Sequence, residues 1–308
     1  MGSWPERFLA RVCALLLLFA LLPRLSYAYD CAPIVEVPTP TDNIPFGRGT
    51  LFRISANGQV SHMFGTIHVS EDIAGQLDAS VTAALSTSSD YLMEVVIDTA
   101  ATIKMAEAMF FVDGTHLADV VDGAVAADAT RLLAGHGVAA PLAELLQPWA
   151  AFMTLSMPKG APTTPLDSIL MNRAEQQGIA VHGLETIDEQ LGIFTAMTLA
   201  EQREMLTLSV CHYDFNQAAL KTLVDLYRDR DLAGMMVLST RYQAGTPELE
   251  QDFMADLVWE RNDRMVERML PFLDAGGAFI AVGAMHLAGE RGILNQLANR
   301  GFLIEVIH

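Results

Sequence analysis

Two short motifs carry the strongest chemical signal in the chain. Phe64-Gly65-Thr66-Ile67-His68 and Val282-Gly283-Ala284-Met285-His286 each deliver a histidine three residues after a glycine, at the end of an apolar run. Glycine at the head of each lets the backbone turn closely with no side chain in the way. Two carboxylates stand in comparable settings: Glu94 in Tyr91-Leu-Met-Glu-Val-Val-Ile97, and Glu185 at the end of Ile179-Ala-Val-His-Gly-Leu-Glu185. Taken singly, either histidine reads as a core residue with one satisfied hydrogen bond. Taken together, His68, His286 and Glu94 make a donor set for a divalent metal such as manganese, cobalt, zinc or iron. The lack of thiolates argues against a soft copper or iron–sulfur site. A metal held by two or three protein ligands keeps a position open for water, lowers the pKa of that water toward ~7, and so supplies a nucleophile for a carbonyl carbon. Glu94 or Glu185 would then move protons.

A fourth element adds a cation. In Leu257-Val-Trp-Glu-Arg-Asn-Asp-Arg-Met265, Leu257, Arg261 and Met265 are four apart, so Arg261 falls on the apolar stripe of a helix with Asn262 beside it. An inward charge needs a partner. Arg261 is open to two readings, an ion pair with Glu94 or Glu185 and, with Asn262, stabilisation of a substrate oxyanion.

These residues need elements to hold them. Leu51–Ser55 and Gln59–Ile67 straddle Asn57-Gly58, a strong hairpin signal. Ile73, Leu77, Val81 and Leu85 recur at helical spacing, and Tyr91–Ile97 reads as a buried strand. The C-terminus repeats the plan: Ala278–Met285 as strand, Ile293, Leu294 and Leu297 on one helical face, and Phe302–Ile307 as the last strand. Both units predict right-handed crossovers within parallel sheet. Each closing strand carries a glutamate, Glu94 and Glu305, which raises a duplicated half-site. The middle predicts helices over Pro141–Met157, Leu166–Gln177, Thr186–Ala196, Leu199–Leu208, Asn216–Arg228 and Pro247–Leu273, with one strand at Ile179–Glu185 and a capping box at Thr186-Ile-Asp-Glu189. The expected fold class is therefore α/β (α+β), a mixed sheet with two strand–helix–strand units bearing the Gly-x-x-His motifs and a large helical middle. Ligands of such sheets bind outside the carboxyl ends of the strands, where His68, His286 and Glu185 all fall.

Residues 1–28, with Arg7 and Arg11 ahead of an apolar run and Ser26-Tyr27-Ala28 at its end, read as a secretory signal peptide; the run is shorter than the ~20 residues a membrane span needs. An uncleaved anchor is the competing reading. Residues 29–48, with Pro33, Pro38, Pro40 and Pro45, predict an extended leader outside the packed structure, and 49–308 a single domain. The chain carries a formal charge of −18, and the leader peptide takes three arginines and one glutamate with it, deepening that to −20. Such a field disfavours nucleic acid and anionic membrane surfaces. After removal of Cys13 only Cys31 and Cys211 remain, a pair that an oxidising compartment would allow to bridge. No Gly-x-Ser-x-Gly elbow and no Gly-rich phosphate loop is present, the other six histidines lack metal-ligand spacing, and the sixteen methionines read as core filler in the helices.

In this order the motifs resemble the TraB/PrgY/GumN family, which includes the Tiki proteases, with the closest likeness to its bacterial GumN-like branch. The likeness rests on Phe64–His68, Met93-Glu-Val-Val96, Leu166-Asp167 before Arg173-Ala174, Gly183-Leu-Glu-Thr186 with Gln190, Glu260-Arg-Asn262, and Val282–Leu287 with Gly289-Glu290. It implies a fold like that of the erythromycin-esterase and ChaN group. It also implies a metal-dependent hydrolase, a peptidase acting on a peptide or protein, with His68, His286 and Glu94 as functional residues and Arg261 and Asn262 as further candidates. Export to the periplasm or outside the cell, with no membrane span after signal cleavage, completes the expectation. The alternative is a protein on the same fold that binds and sequesters a peptide or haem without turning it over.

Overall fold

In the computed structural model, which describes residues 29–38, 43–67, 77–160 and 164–308, the Asn57-Gly58 turn forms as its sequence predicts. Asn57 and Gly58 both take positive φ, 52° and 81°, and Ala56 faces Gln59 across a two-residue loop. Positive φ at both loop residues matches the right-handed twist of the strands it joins. The hairpin strands are β2 (Leu51–Ala56) and β3 (Gln59–Thr66); the others are β1 (Val35–Glu36), β4 (Asp90–Met93), β5 (Ala180–Gly183), β6 (Tyr242–Gln243), β7 (Ala278–Gly283) and β8 (Leu303–Val306). The expected signal peptide lies outside the described residues, as do His68 and Ile73; the helix expected from Ile73 is found from Ala79 to Ser86, capped by Asp78, and leaves Leu77 outside it.

Six strands form one mixed sheet in the order β5-β4-β7-β3-β2-β8. The first four run parallel, β2 runs antiparallel to β3, and β8 pairs antiparallel with β2. Both strand–helix–strand units join strands that run the same way without being neighbours: β7 lies between β3 and β4, and β3 and β2 lie between β7 and β8, which pairs antiparallel with β2 at the far edge. The reason is that β7 is apolar along its whole length. Ala278, Phe279, Ile280, Ala281 and Val282 are all buried, a pattern that only a central strand covered on both faces satisfies. Phe279 stacks on Tyr91 with ring centroids 6.1 Å apart and meets Phe64 at 6.4 Å, fixing the strands to either side of it.

The leader is corrected. β1 pairs antiparallel with β6, Val37 N–H donates to the Arg241 carbonyl at 2.8 Å, and the Ala233 N–H donates to the Gly47 carbonyl at 2.9 Å. A two-residue strand in a proline-rich segment carries no periodicity to read. The helical middle forms as expected but is subdivided. The predicted helix over 141–157 is two, Ala140–Ala143 and Pro148–Leu155, and the helix over 247–273 continues as Pro247–Met254, a π-helical turn Ala255–Trp259, and Glu260–Ala275. Helices at Thr99–Met109, Gly123–Leu133 and Leu232–Arg241 are additional to those predicted. Among the described residues no helix is long and apolar enough to cross a membrane. Cys31 and Cys211 are both in the disulfide state.

Candidate functional site

Because β3, β4, β5 and β7 are parallel, their carboxyl ends gather at one edge, and each is followed within three residues by a residue of interest. Thr66 ends β3 opposite Gly283, which ends β7; Met93 ends β4 opposite both Gly183 and Ala281. Glu94 then follows β4, Glu185 follows β5, and His286 closes the short 3-10 turn Ala284–His286 after β7. The structure thus brings together Glu94, Glu185, Arg261, Asn262 and His286. His68 lies outside the described residues.

His286 is oriented by an amide. Its Nδ1 lies 2.6 Å from Asn262 Oδ1, while Asn262 Nδ2 donates to the Arg291 carbonyl at 2.9 Å. A carbonyl accepts only, so the amide nitrogen must face Arg291 and the amide oxygen must face His286. Nδ1 therefore carries a proton, and the ring turns Nε2 toward Glu94. That nitrogen stands 3.7 Å from Glu94 Oε1. Asn262 is fully buried and His286 is 5 % exposed, so this orientation is held in a place water does not compete for. Gly283 keeps the space between them: a Cβ there would sit 3.2 Å from Glu94 Oε1 and 3.4 Å from His286 Cδ2. Gly65, its counterpart, is excluded by packing instead, since a Cβ would meet Leu287 Cδ1 at 2.8 Å.

The carboxylates share one guanidinium. Arg261 donates from NH2 to Glu94 Oε2 at 2.5 Å and from Nε to Glu185 Oε2 at 2.8 Å. Glu94 Oε1 accepts from the Gly283 N–H at 2.7 Å, and Gln190 Nε2 lies between the two carboxylates, 3.5 Å from Glu94 Oε2 and 3.3 Å from Glu185 Oε2. Arg264, one helical turn beyond Arg261, takes Glu185 Oε1 at 2.6 Å and 3.2 Å from its two nitrogens. Burial works against the charge on Arg261, but the Glu94 and Glu185 carboxylates outweigh it and hold its pKa above the ordinary arginine value. Burial likewise pushes the Tyr91 hydroxyl far up, with Asp167 and Glu94 adding to it, so Tyr91 stays neutral and donates to the Asp167 carbonyl at 2.9 Å.

Two local devices aim these groups. The predicted capping box forms, with Thr186 Oγ1 accepting from the Glu189 N–H and Glu189 accepting from the Thr186 N–H, and it starts the helix Ile187–Thr195 that carries Gln190. Arg268 grips Glu189 and also donates to the Leu184 carbonyl at 2.8 Å, fixing the turn that holds Glu185. The π-turn serves Arg261. With i→i+5 bonding, the Glu260 N–H goes back to the Ala255 carbonyl, and the Leu257 carbonyl receives Arg261 NH1 at 3.0 Å.

Arg264, Gln190 and Thr66 are members of this edge that were not among the candidates. Arg264 had a signal, its spacing three residues after Arg261. Thr66 had none. Its Oγ1 is buried without a hydrogen-bond partner, and its in-register pairing with Gly283 puts its side chain on the sheet face where Glu94 and His286 approach Gly283. Glu305, the proposed twin of Glu94, is no part of the site: it lies on the edge strand β8, 3.6 Å from Arg53. Glu305 therefore does not duplicate Glu94. Among the described residues no group of three or more His, Cys, Asp or Glu side chains is arranged to hold a metal ion.

Among curated proteins and among solved structures, none matches the chain significantly. The profile of the TraB/PrgY/gumN family matches residues 50–306, from the start of β2 to the end of β8. Spanning nearly all of the described fold, that match makes the chain a member of the TraB/PrgY/gumN family.

Proposed function

We propose that this protein is a metal-dependent hydrolase acting on peptide bonds, exported to an oxidising compartment. The observation that carries the reading is the approach of His286 Nε2 to the Glu94 carboxylate at 3.7 Å in a buried crevice, with Nδ1 turned to Asn262. One imidazole nitrogen and one carboxylate oxygen fit a manganese, cobalt or zinc ion, and His68, supplied by the sequence, is the proposed third ligand. Such an ion, when bound, supplies Lewis acidity and a more acidic water. The chain's own residues do the rest. Asn262 holds a proton of His286 on Nδ1 and so orients Nε2 toward Glu94. Arg261 holds Glu94 in place through Oε2 and leaves Oε1 facing His286. We assign Glu185, whose side chain is fully buried between Arg261 and Arg264, to positioning Arg261, and Glu94 to moving the proton at Oε1. The disulfide state of Cys31 and Cys211 supports export.

Protein purified without chelator is expected to contain stoichiometric metal by elemental analysis. His286→Ala and His68→Ala should each lose it, and peptide cleavage should vanish on chelation and return with manganese, cobalt or zinc. Full cleavage by both variants would sink the reading. A second reading, capture of a peptide or haem without turnover, draws on one observation: guanidinium and amide donors already engage all four oxygens of Glu94 and Glu185. Ligand recovered chemically unchanged after prolonged incubation with metal-loaded protein would favour it.

A further inference from the structure

The helical half contains a cavity of about 470 Å³, separate from the charged crevice and within the ~300–1,000 Å³ span of small-ligand sites. Helices Pro148–Leu155, Leu199–Cys211, Tyr213–Arg228, Leu232–Arg241 and Pro247–Met254 converge on it, joined by Ile34, just before β1, and by Tyr242 and Gln243 of β6. Met153, Met205 and Met254 line it, so these three methionines border open space and do not fill the core as their sequence context suggests. Phe215, an exposed aromatic set edge-on against Tyr242 at 5.1 Å, marks the mouth.

Five polar side chains of the lining are committed to neighbours, while Asn216, Tyr242 and Gln243 make no side-chain hydrogen bond among the described residues. Ser156, Ser209 and Ser239 donate to carbonyls on their own helices at 2.8 Å, Glu250 accepts the Ala244 and Gly245 N–H groups at 3.0 Å each, and His212 Nε2 meets the Ala32 carbonyl at 2.8 Å. No lysine or arginine occurs among the described lining residues. Such a wall offers a ligand mainly apolar contact, with the uncharged polar ends of Asn216, Tyr242 and Gln243 for a neutral head, and the flexible thioethers suit a guest that is itself flexible. An anionic head would enter without a counter-charge.

We propose that this cavity binds the long, unbranched aliphatic chain of an uncharged amphiphile. The site stands whether or not the charged crevice hydrolyses anything. It is also tied to that crevice physically, because Leu257 lends its side chain to the cavity wall while its carbonyl holds Arg261.

Displacement of the neutral fluorophore N-phenyl-1-naphthylamine from the full chain tests this. Saturable binding is expected, with 1-dodecanol displacing the probe at concentrations at least about 100-fold below those needed for 1-butanol, since each added methylene contributes to burial. Dodecanoate should be weaker than dodecanol by about tenfold or more. Ala219→Trp and Leu238→Trp, on separate helices, each fill the cavity and should weaken dodecanol at least about tenfold while leaving the thermal melt near that of the parent. If one variant fails to fold, the other decides, and the chain-length series on the parent decides without either. Equal displacement by butanol and dodecanol, or parent-like binding by a folded variant, would overturn the proposal. So would a dimer that dissociates on adding alcohol with no probe bound, which would assign the cavity to a second copy of the chain.

Discussion

Glu94 and Glu305 stand in near-copies of one pentapeptide, Leu-Met-Glu-Val-Val and Leu-Ile-Glu-Val-Ile, Glu94 directly after β4 and Glu305 within β8. Glu94 is 9 % exposed, bound by Arg261 and the Gly283 N–H, whereas the Glu305 side chain is 51 % exposed beside an equally open Arg53. Local sequence does not separate them. Place in the sheet does: β4 lies between β5 and β7 with its carboxyl end in the crevice, while β8 lies at the antiparallel edge. A carboxylate on an outer strand is solvated and contributes little; one at the carboxyl end of an inner parallel strand is desolvated and must be answered by a cation.

The largest effect expected from this contrast is at Glu94. Glu94→Ala leaves Arg261 buried with one partner fewer and should destabilise the fold by about 3–5 kcal/mol in denaturant titration; a loss below about 1 kcal/mol would show that Glu185 alone satisfies Arg261. Gly283→Ala pushes a methyl toward Glu94 and His286, for an expected cost of about 1–3 kcal/mol and disturbed histidine NMR shifts.

Glu189 sharpens the picture through pH. Its bond to Arg268, aided by the Thr186 cap, lowers its pKa from 4.5 to about 2. The stabilisation it gives is therefore complete above 4.5 and is lost as pH falls toward 2. Glu189→Gln should melt lower than the parent near neutral pH, with the two curves converging at about pH 2. Thr66→Val removes a buried hydroxyl that has no partner, so stability should hold or rise by up to about 1 kcal/mol; a loss larger than that would reveal a structural role for Oγ1. Glu305→Ala closes the series, with a change expected within about 0.5 kcal/mol.

Much of this edge was legible before folding. The Asn57-Gly58 turn, the Thr186–Glu189 box and the inward Arg261 each follow from one local rule, positive φ, reciprocal capping and helical spacing, and each is found. Strand order was not legible, because β7 between β3 and β4 results from pairing segments far apart in sequence. The helix Thr99–Met109 escaped notice because it buries only Ala101 and so shows no apolar stripe, and the helix Gly123–Leu133 buries two alanines among its four core positions. The π-turn leaves no trace in composition, yet it decides where the Arg261 side chain is anchored. Thr66 looks like any strand threonine until its register beside Gly283 is known.

The pairing of Glu94 and Glu185 with Arg261 and Arg264 leaves this cluster electrically balanced, two negative groups against two positive ones. A dication seated beside His286 would arrive uncompensated, in surroundings where little water can screen it. Electroneutrality would then be restored by whatever accompanies the ion, which ranks acidic or carboxylate-terminated guests above neutral ones of the same shape.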